Sequence, residues 1–243
     1  MYKNLQVLDK NIHIDLRFNP APDYAFAAGL SRVPLATSEL VAAARHYAIV
    51  FPAEGDPVPQ ALFSIEAGKN LYLDENNLWR APYVPAQVRA YPFALAKTQD
   101  DENTLALCID RDAPQFQSDQ GDPLFTANGE PAALIEQQME FLKTLHQHLQ
   151  LARTWGQALA EKDLLTDQPV TVTHPGGKTN VGGLRVVDRR KFLELDAETL
   201  ADWHRRGLIE PIYAHLQSLD NLARLLPQGG EESDPYKVIE SMQ

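Results

Sequence analysis

The chain has 243 residues, 44% hydrophobic and 23% charged, enough at this length to bury roughly 70–75% of the unfolded surface. Twenty-two Lys and Arg against 33 Asp and Glu leave a net charge of −11, a field that repels phosphate backbones and argues against a nucleic-acid partner. The single cysteine, Cys108, excludes an intrachain disulfide and a Cys-based zinc site, and no window approaches the ~18–20 apolar residues that span a bilayer.

The first residues, MYKNLQVLDK, lack the apolar core of a signal peptide, so a cytoplasmic location is expected; the alternative is the cell surface, reached without a cleaved signal. In IHIDLRF, Ile12, Ile14, Leu16 and Phe18 alternate with polar residues, the period-2 pattern of a half-buried strand. Pro20, Pro22 and Pro34 break the next stretch into short pieces. TSELVAAARHYAIVF then reads as a short helix capped by Thr37 or Ser38, followed by a strand at Ala48–Phe51. Two more strands are expected at Ala61–Ile65 and Leu71–Asp74, with a turn at Asn76-Asn77 where left-handed backbone is tolerated.

PFALAKT and TLALCID flank the polar QDDEN and read as a hairpin, with Leu105, Leu107 and Ile109 on one face. The longest element is a helix over about 131–161, since Ile135, Met139, Leu142, Leu145, Leu149, Ala152 and Leu159 recur at three- and four-residue steps. PVTVTHPGGKTNVGGLRVVD reads as a second hairpin, its turn at His174 to Lys178 and a bulge at Gly182-Gly183. Two helices close the chain. Asp196 caps the first and Gly207 ends it; the second carries Ile209, Ile212, Leu216, Leu219, Ala223 and Leu226 on one face. The pattern predicts an α+β fold, a mainly antiparallel sheet of short strands packed against the long helix and the two C-terminal helices. It is expected to form one domain over 1–226, with 227–243 as a mobile tail.

Catalytic and ligand motifs mostly fail on spacing. HPGGKTN contains Gly-Lys-Thr, but a phosphate loop needs glycine where Val172 stands. None of the seven histidines falls in a metal spacing; His146 and His148 lie two apart on a helix and diverge, while His204 and His215 sit on separate helices. No metal or cofactor is therefore expected. Cys108 has no base beside it and reads as a small buried hydrophobe. Asp110 and Asp112, which come next at a strand end, would suit a cation or, with a histidine brought near by folding, general acid–base chemistry; a solvated or Arg-bridged loop is the simpler reading.

The segment from Trp79 to Phe93 is different in density. Trp79, Tyr83 and Tyr91 interleave with Arg80, Arg89 and three prolines, and rings beside guanidinium groups can form a stacked recognition surface. Trp79, Tyr83, Arg89 and Tyr91 are the candidate binding residues. The competing reading places Trp79 and Phe93 in the core, with the Tyr and Arg tips at the surface or paired with carboxylates.

These residues also carry a resemblance. Val33-Pro34-Leu35, Ile49-Val50-Phe51, Asn70-Leu71-Tyr72-Leu73-Asp74, Trp79 with Tyr83-Val84-Pro85-Ala86, Arg89 with Tyr91-Pro92-Phe93, and Leu107-Cys108-Ile109-Asp110 with Leu124-Phe125 resemble the SapC family of bacterial proteins. Val181-Gly182-Gly183-Leu184 with Val186-Val187-Asp188, and Tyr213-Ala214-His215-Leu216 with Ser218-Leu219, continue the match to about residue 226. This family is distinct from the transporter permease that shares its name, a membrane protein. The resemblance implies association with surface-layer genes and the lack of a recognised catalytic set. Relatives tend to be encoded near outer-membrane receptors and flavin-dependent halogenase-like proteins.

The expected role is therefore a non-enzymatic binding or accessory protein of a cell-envelope, surface-layer or nutrient-uptake locus, with a protein partner encoded nearby. The alternatives are an enzyme using Asp110 and Asp112 with a histidine, and a structural component of a surface lattice.

Overall fold

The computed structural model of the protein describes residues 1–20, 23–97, 105–117, 119–167, 170–174 and 177–225. In chain order the first half contains β1 (Leu5–Val7), α1 (Lys10–His13), β2 (Arg17–Phe18), β3 (Arg32–Pro34), α2 (Leu40–Ala43), β4 (Ala48–Pro52), β5 (Gln60–Leu62), α3 (Ala86–Arg89), β6 (Phe93–Lys97) and β7 (Leu105–Asp110). The second half contains β8 (Asp122–Pro123), α4 (Ala133–Glu161), β9 (Leu165–Asp167), β10 (Val170–His174), β11 (Gly177–Val181), β12 (Leu184–Val187), α5 (Arg189–Leu193), α6 (Ala197–Arg205) and α7 (Ile209–Ser218). A 3₁₀ turn at Leu219–Leu225 continues from α7.

The fold is α+β, and among the described residues every strand pairing is antiparallel. One sheet runs β1-β7-β6, another β3-β5-β4-β12-β9, and two small ribbons pair β2 with β8 and β10 with β11. At the centre of the larger sheet β4 is buried on both faces. Ile49 and Phe51 point into one cluster with Tyr47, Phe63 and Trp155, and Ala48 and Val50 into another with Leu62, Leu184, Leu222 and Leu225. Strand alternation thus separates two apolar layers, one on each side of the sheet.

The expected hairpin is present, with Phe93 opposite Ile109 and Leu95 opposite Leu107, so that face packs into the core. The long helix is also present, as α4 over Ala133–Glu161. Its N-terminal half, through Ile135, Leu142 and Leu145, packs with the smaller sheet's cluster; its C-terminal half, through Trp155 and Leu159, joins the larger sheet's cluster. Gly156 permits the closest approach, because a Cβ there would lie 1.7 Å from the Pro57 carbonyl oxygen.

Several local expectations are corrected. Residues 12–18 are not one half-buried strand: Asp9 caps α1 by accepting from the Asn11 amide, and only Arg17–Phe18 is extended. Ile12 and Ile14 are exposed and His13 buried, the reverse of what alternation predicts, because the His13 Nδ1 turns back to accept from the Asp9 amide at 3.1 Å. Leu71–Asp74 is not a strand. It holds a single bridge from Leu73 to Trp79, around a turn in which Asn77 takes φ 59°, the left-handed conformation expected there.

The helix start at 37–43 is not capped by a hydroxyl. Glu39 reaches back to accept from the Ala36 amide at 3.0 Å, and the Thr37 hydroxyl instead meets His148 Nδ1 on α4 at 3.2 Å. In the second hairpin His174 pairs with Gly177, so both lie on the strands, and Gly182-Gly183 joins β11 to β12 rather than forming a bulge within one ladder. Asp196 does cap α6, accepting from the Thr199 amide, and Gly207 ends it with φ 70°. The expected mobile tail at 227–243 lies outside the described residues, as does the polar loop of the first hairpin.

Candidate functional site

Trp79 and Tyr83 do not form an open stacked face. The Trp79 indole N–H donates to the Tyr47 hydroxyl at 2.7 Å, and its ring meets Phe63 edge-on at 5.2 Å and Tyr24 at 5.5 Å. The Tyr47 hydroxyl in turn donates to the Tyr83 carbonyl, and the Tyr83 hydroxyl donates to Glu39 Oε1 at 2.8 Å. The same carboxylate oxygen accepts from the Ala86 amide at the start of α3. Burial pushes the Tyr83 hydroxyl pKa up, and the neighbouring Glu39 charge adds to the rise.

Tyr91 is consumed separately. Its ring stacks on Phe26 with centroids 3.9 Å apart, and its hydroxyl donates to Asp110 Oδ2 at 3.1 Å. Asp110 is fully buried, and its carboxylate also accepts from the Lys3 and Asn4 amides, each at 2.9 Å. Burial alone would raise its pKa, but the two amides and the Tyr91 hydroxyl outweigh burial and hold the carboxyl below its usual value. Asp112 is exposed and accepts from the Asn4 side chain at 3.1 Å.

Arg89 remains outside. It sits in the last turn of α3, donates from Nε to the Val84 carbonyl at 3.0 Å, and holds its guanidinium 5.4 Å from the centre of the Phe141 ring on α4. That arrangement is a cation–π contact at the surface, beside the half-buried Tyr83. Of the four candidate residues, Arg89 is exposed and has the half-buried Tyr83 beside it; Trp79 and Tyr83 pack against one apolar cluster and Tyr91 belongs to another.

The histidines do not gather. His215 is fully buried on α7, where Nε2 accepts from the Val187 amide at 3.0 Å, and burial lowers its pKa to about 3. His204 is exposed, and His13 is tied to Asp9 and Gln6. Among the described residues no hydrogen bond joins a histidine to Asp110 or Asp112, and no three His, Cys, Asp or Glu side chains converge as metal ligands. Cys108 is buried, its thiol pKa raised by burial. A cleft of about 380 Å³ lies between α2 and α7, lined by Val41, Arg45, Gln217 and Asp220 among others and by none of the aromatic segment.

Glu39, Tyr47, Phe26 and Phe141 were not singled out by the sequence. Glu39 had a local signal, since a carboxylate three residues into a helix start commonly bonds back to the preceding amide. Nothing local announces that the Ala86 amide, 47 positions away, shares it.

The chain is an α+β protein in which the carboxylates of Glu39 and Asp110 hold backbone amides and Trp79 and Tyr91 pack into the apolar clusters. The SapC family model matches residues 8–225, and the chain belongs to the SapC family. No curated protein and no solved structure matches it. No helix is long and apolar enough to cross a membrane among the described residues.

Proposed function

We propose that this SapC-family chain is a single-domain, non-enzymatic binding or accessory protein of a bacterial cell-envelope, surface-layer or nutrient-uptake locus, acting on a protein encoded beside it. The observation that carries the reading is the division of the aromatic segment. Trp79 and Tyr91 spend their polar atoms inside, whereas Arg89 stays exposed over Phe141 with Tyr83 at its side. A guanidinium preorganised on a ring, next to a phenol, suits an acidic or aromatic side chain of a partner. The commitment of Asp110 and Glu39 to backbone amides supports a structural rather than an acid–base role for both.

The test is calorimetric titration of the purified protein with the products of adjacent reading frames. One product should bind, and Arg89→Ala should weaken it about tenfold while costing the fold no more than about 1 kcal/mol for the lost contacts with Val84 and Phe141. Absence of binding by every neighbouring product, or binding indifferent to Arg89→Ala, overturns the proposal.

A further inference from the structure

β1 lies at the outer edge of the β1-β7-β6 sheet. At three residues it offers a short edge, but it carries none of the other features that usually blunt such edges. Hydrogen bonds to β7 pass through Asn4, whose carbonyl accepts from the Arg111 amide, and Leu8, whose amide donates to the Leu107 carbonyl, each at 2.8 Å. By alternation Gln6 also faces β7, and the amides and carbonyls of Leu5 and Val7 point outward. Among the described residues none of those outward groups has a hydrogen-bond partner, and the residues Leu5 and Val7 are 45% and 57% exposed. The strand contains no proline, no bulge and no inward-pointing charge.

The outward edge is self-complementary. We propose that it pairs antiparallel with the β1 edge of a second copy of this chain, about a two-fold axis through Gln6, to make a continuous sheet across a dimer. Three registers put outward groups opposite outward groups. Centring on Leu5 sets Lys3 opposite the aliphatic Val7, and centring on Val7 sets Asp9 opposite the aliphatic Leu5.

Only centring on Gln6 places Leu5 opposite Val7, twice, and at the same time Lys3 opposite Asp9, twice. Each Leu5–Val7 pair then exchanges two backbone bonds, and the exposed side chains cover one another. Lys3 is exposed, and Asp9 uses only Oδ1 in capping α1, which leaves Oδ2 to face the lysine. The edge is held ready for this pairing, because Asp110 fixes the Lys3 and Asn4 amides from inside.

The inference is independent of the Arg89 surface. Its test is sedimentation velocity of the full chain across the micromolar range, with amide exchange measured at Leu5 and Val7. The expected result is a concentration-dependent dimer whose formation slows exchange at both amides.

Val7→Pro removes one outward amide and leaves the bonds to β7 intact, so it should give a monomer with an unchanged circular dichroism spectrum. Lys3→Glu, an exposed change, should weaken the dimer about tenfold at low salt. A chain that stays monomeric throughout, or a dimer that both variants leave intact, overturns the proposal.

Discussion

The Asp110 carboxylate and the Asn4 amide, 106 positions apart in sequence, meet at 2.9 Å and fasten the N-terminal strand to the sheet. Asp110→Ala leaves the Lys3 and Asn4 amides and the Tyr91 hydroxyl without their acceptor, at a cost of about 3 kcal/mol. Hydrogen exchange should then accelerate over residues 3–8 before it does so in α4. Uniform acceleration, or none, would show that Asp110 does not hold the strand.

Glu39 plays the same part for α2 and α3. Tyr83→Phe removes one donor and should cost about 1 kcal/mol, whereas Glu39→Ala strands the Ala36 and Ala86 amides and should cost about 3 kcal/mol. Urea denaturation of both variants measures the difference. Equal costs would mean that the two amides find other partners.

Gly156→Ala tests the contact between α4 and the segment before β5. The new Cβ would meet the Pro57 carbonyl oxygen at 1.7 Å, a backbone atom rather than the end of a flexible side chain that could move aside. A loss of at least about 3 kcal/mol is expected. A melting temperature within a degree of the parent would refute the close approach.

His215 predicts a pH dependence whose direction is set by its burial. The folded imidazole resists protonation until about 3, whereas its unfolded value is 6.5. Below 6.5 the unfolded chain takes up a proton that the folded chain does not, so stability falls by about 1.4 kcal/mol per pH unit on acidification from this group. His215→Gln should flatten the stability curve between pH 6 and 4 by about one proton, and identical slopes would exclude His215 as the cause. Asp110 acts lower down. Its folded pKa is depressed, so its contribution is complete above the unfolded value of 3.8 and is lost as the pH falls below it.

Where the sequence was legible, one periodicity ran long enough to outvote its neighbours. The stripe of α4 and the shared face of Leu107 and Ile109 place their residues as observed, while Leu105 stays outside that cluster. Residues 12–18 misled because a single capping aspartate and a histidine turned back on it outweighed a short alternating run. The aromatic segment was legible as a dense feature but not in its direction. The carboxylates that draw Tyr83 and Tyr91 inward, Glu39 and Asp110, come from distant positions, and a window of sequence does not carry that information.

α4 is one continuous helix whose two halves lie in different apolar clusters, one beneath each sheet. Neither sheet can shed its layer without stripping half of this 29-residue helix, and helix formation is cooperative along its length. The halves are mechanically in series. Heat and denaturant should therefore release both sheets in a single sharp transition, and a substitution at Leu142 should be felt by a tryptophan reporter at Trp155, in the other cluster.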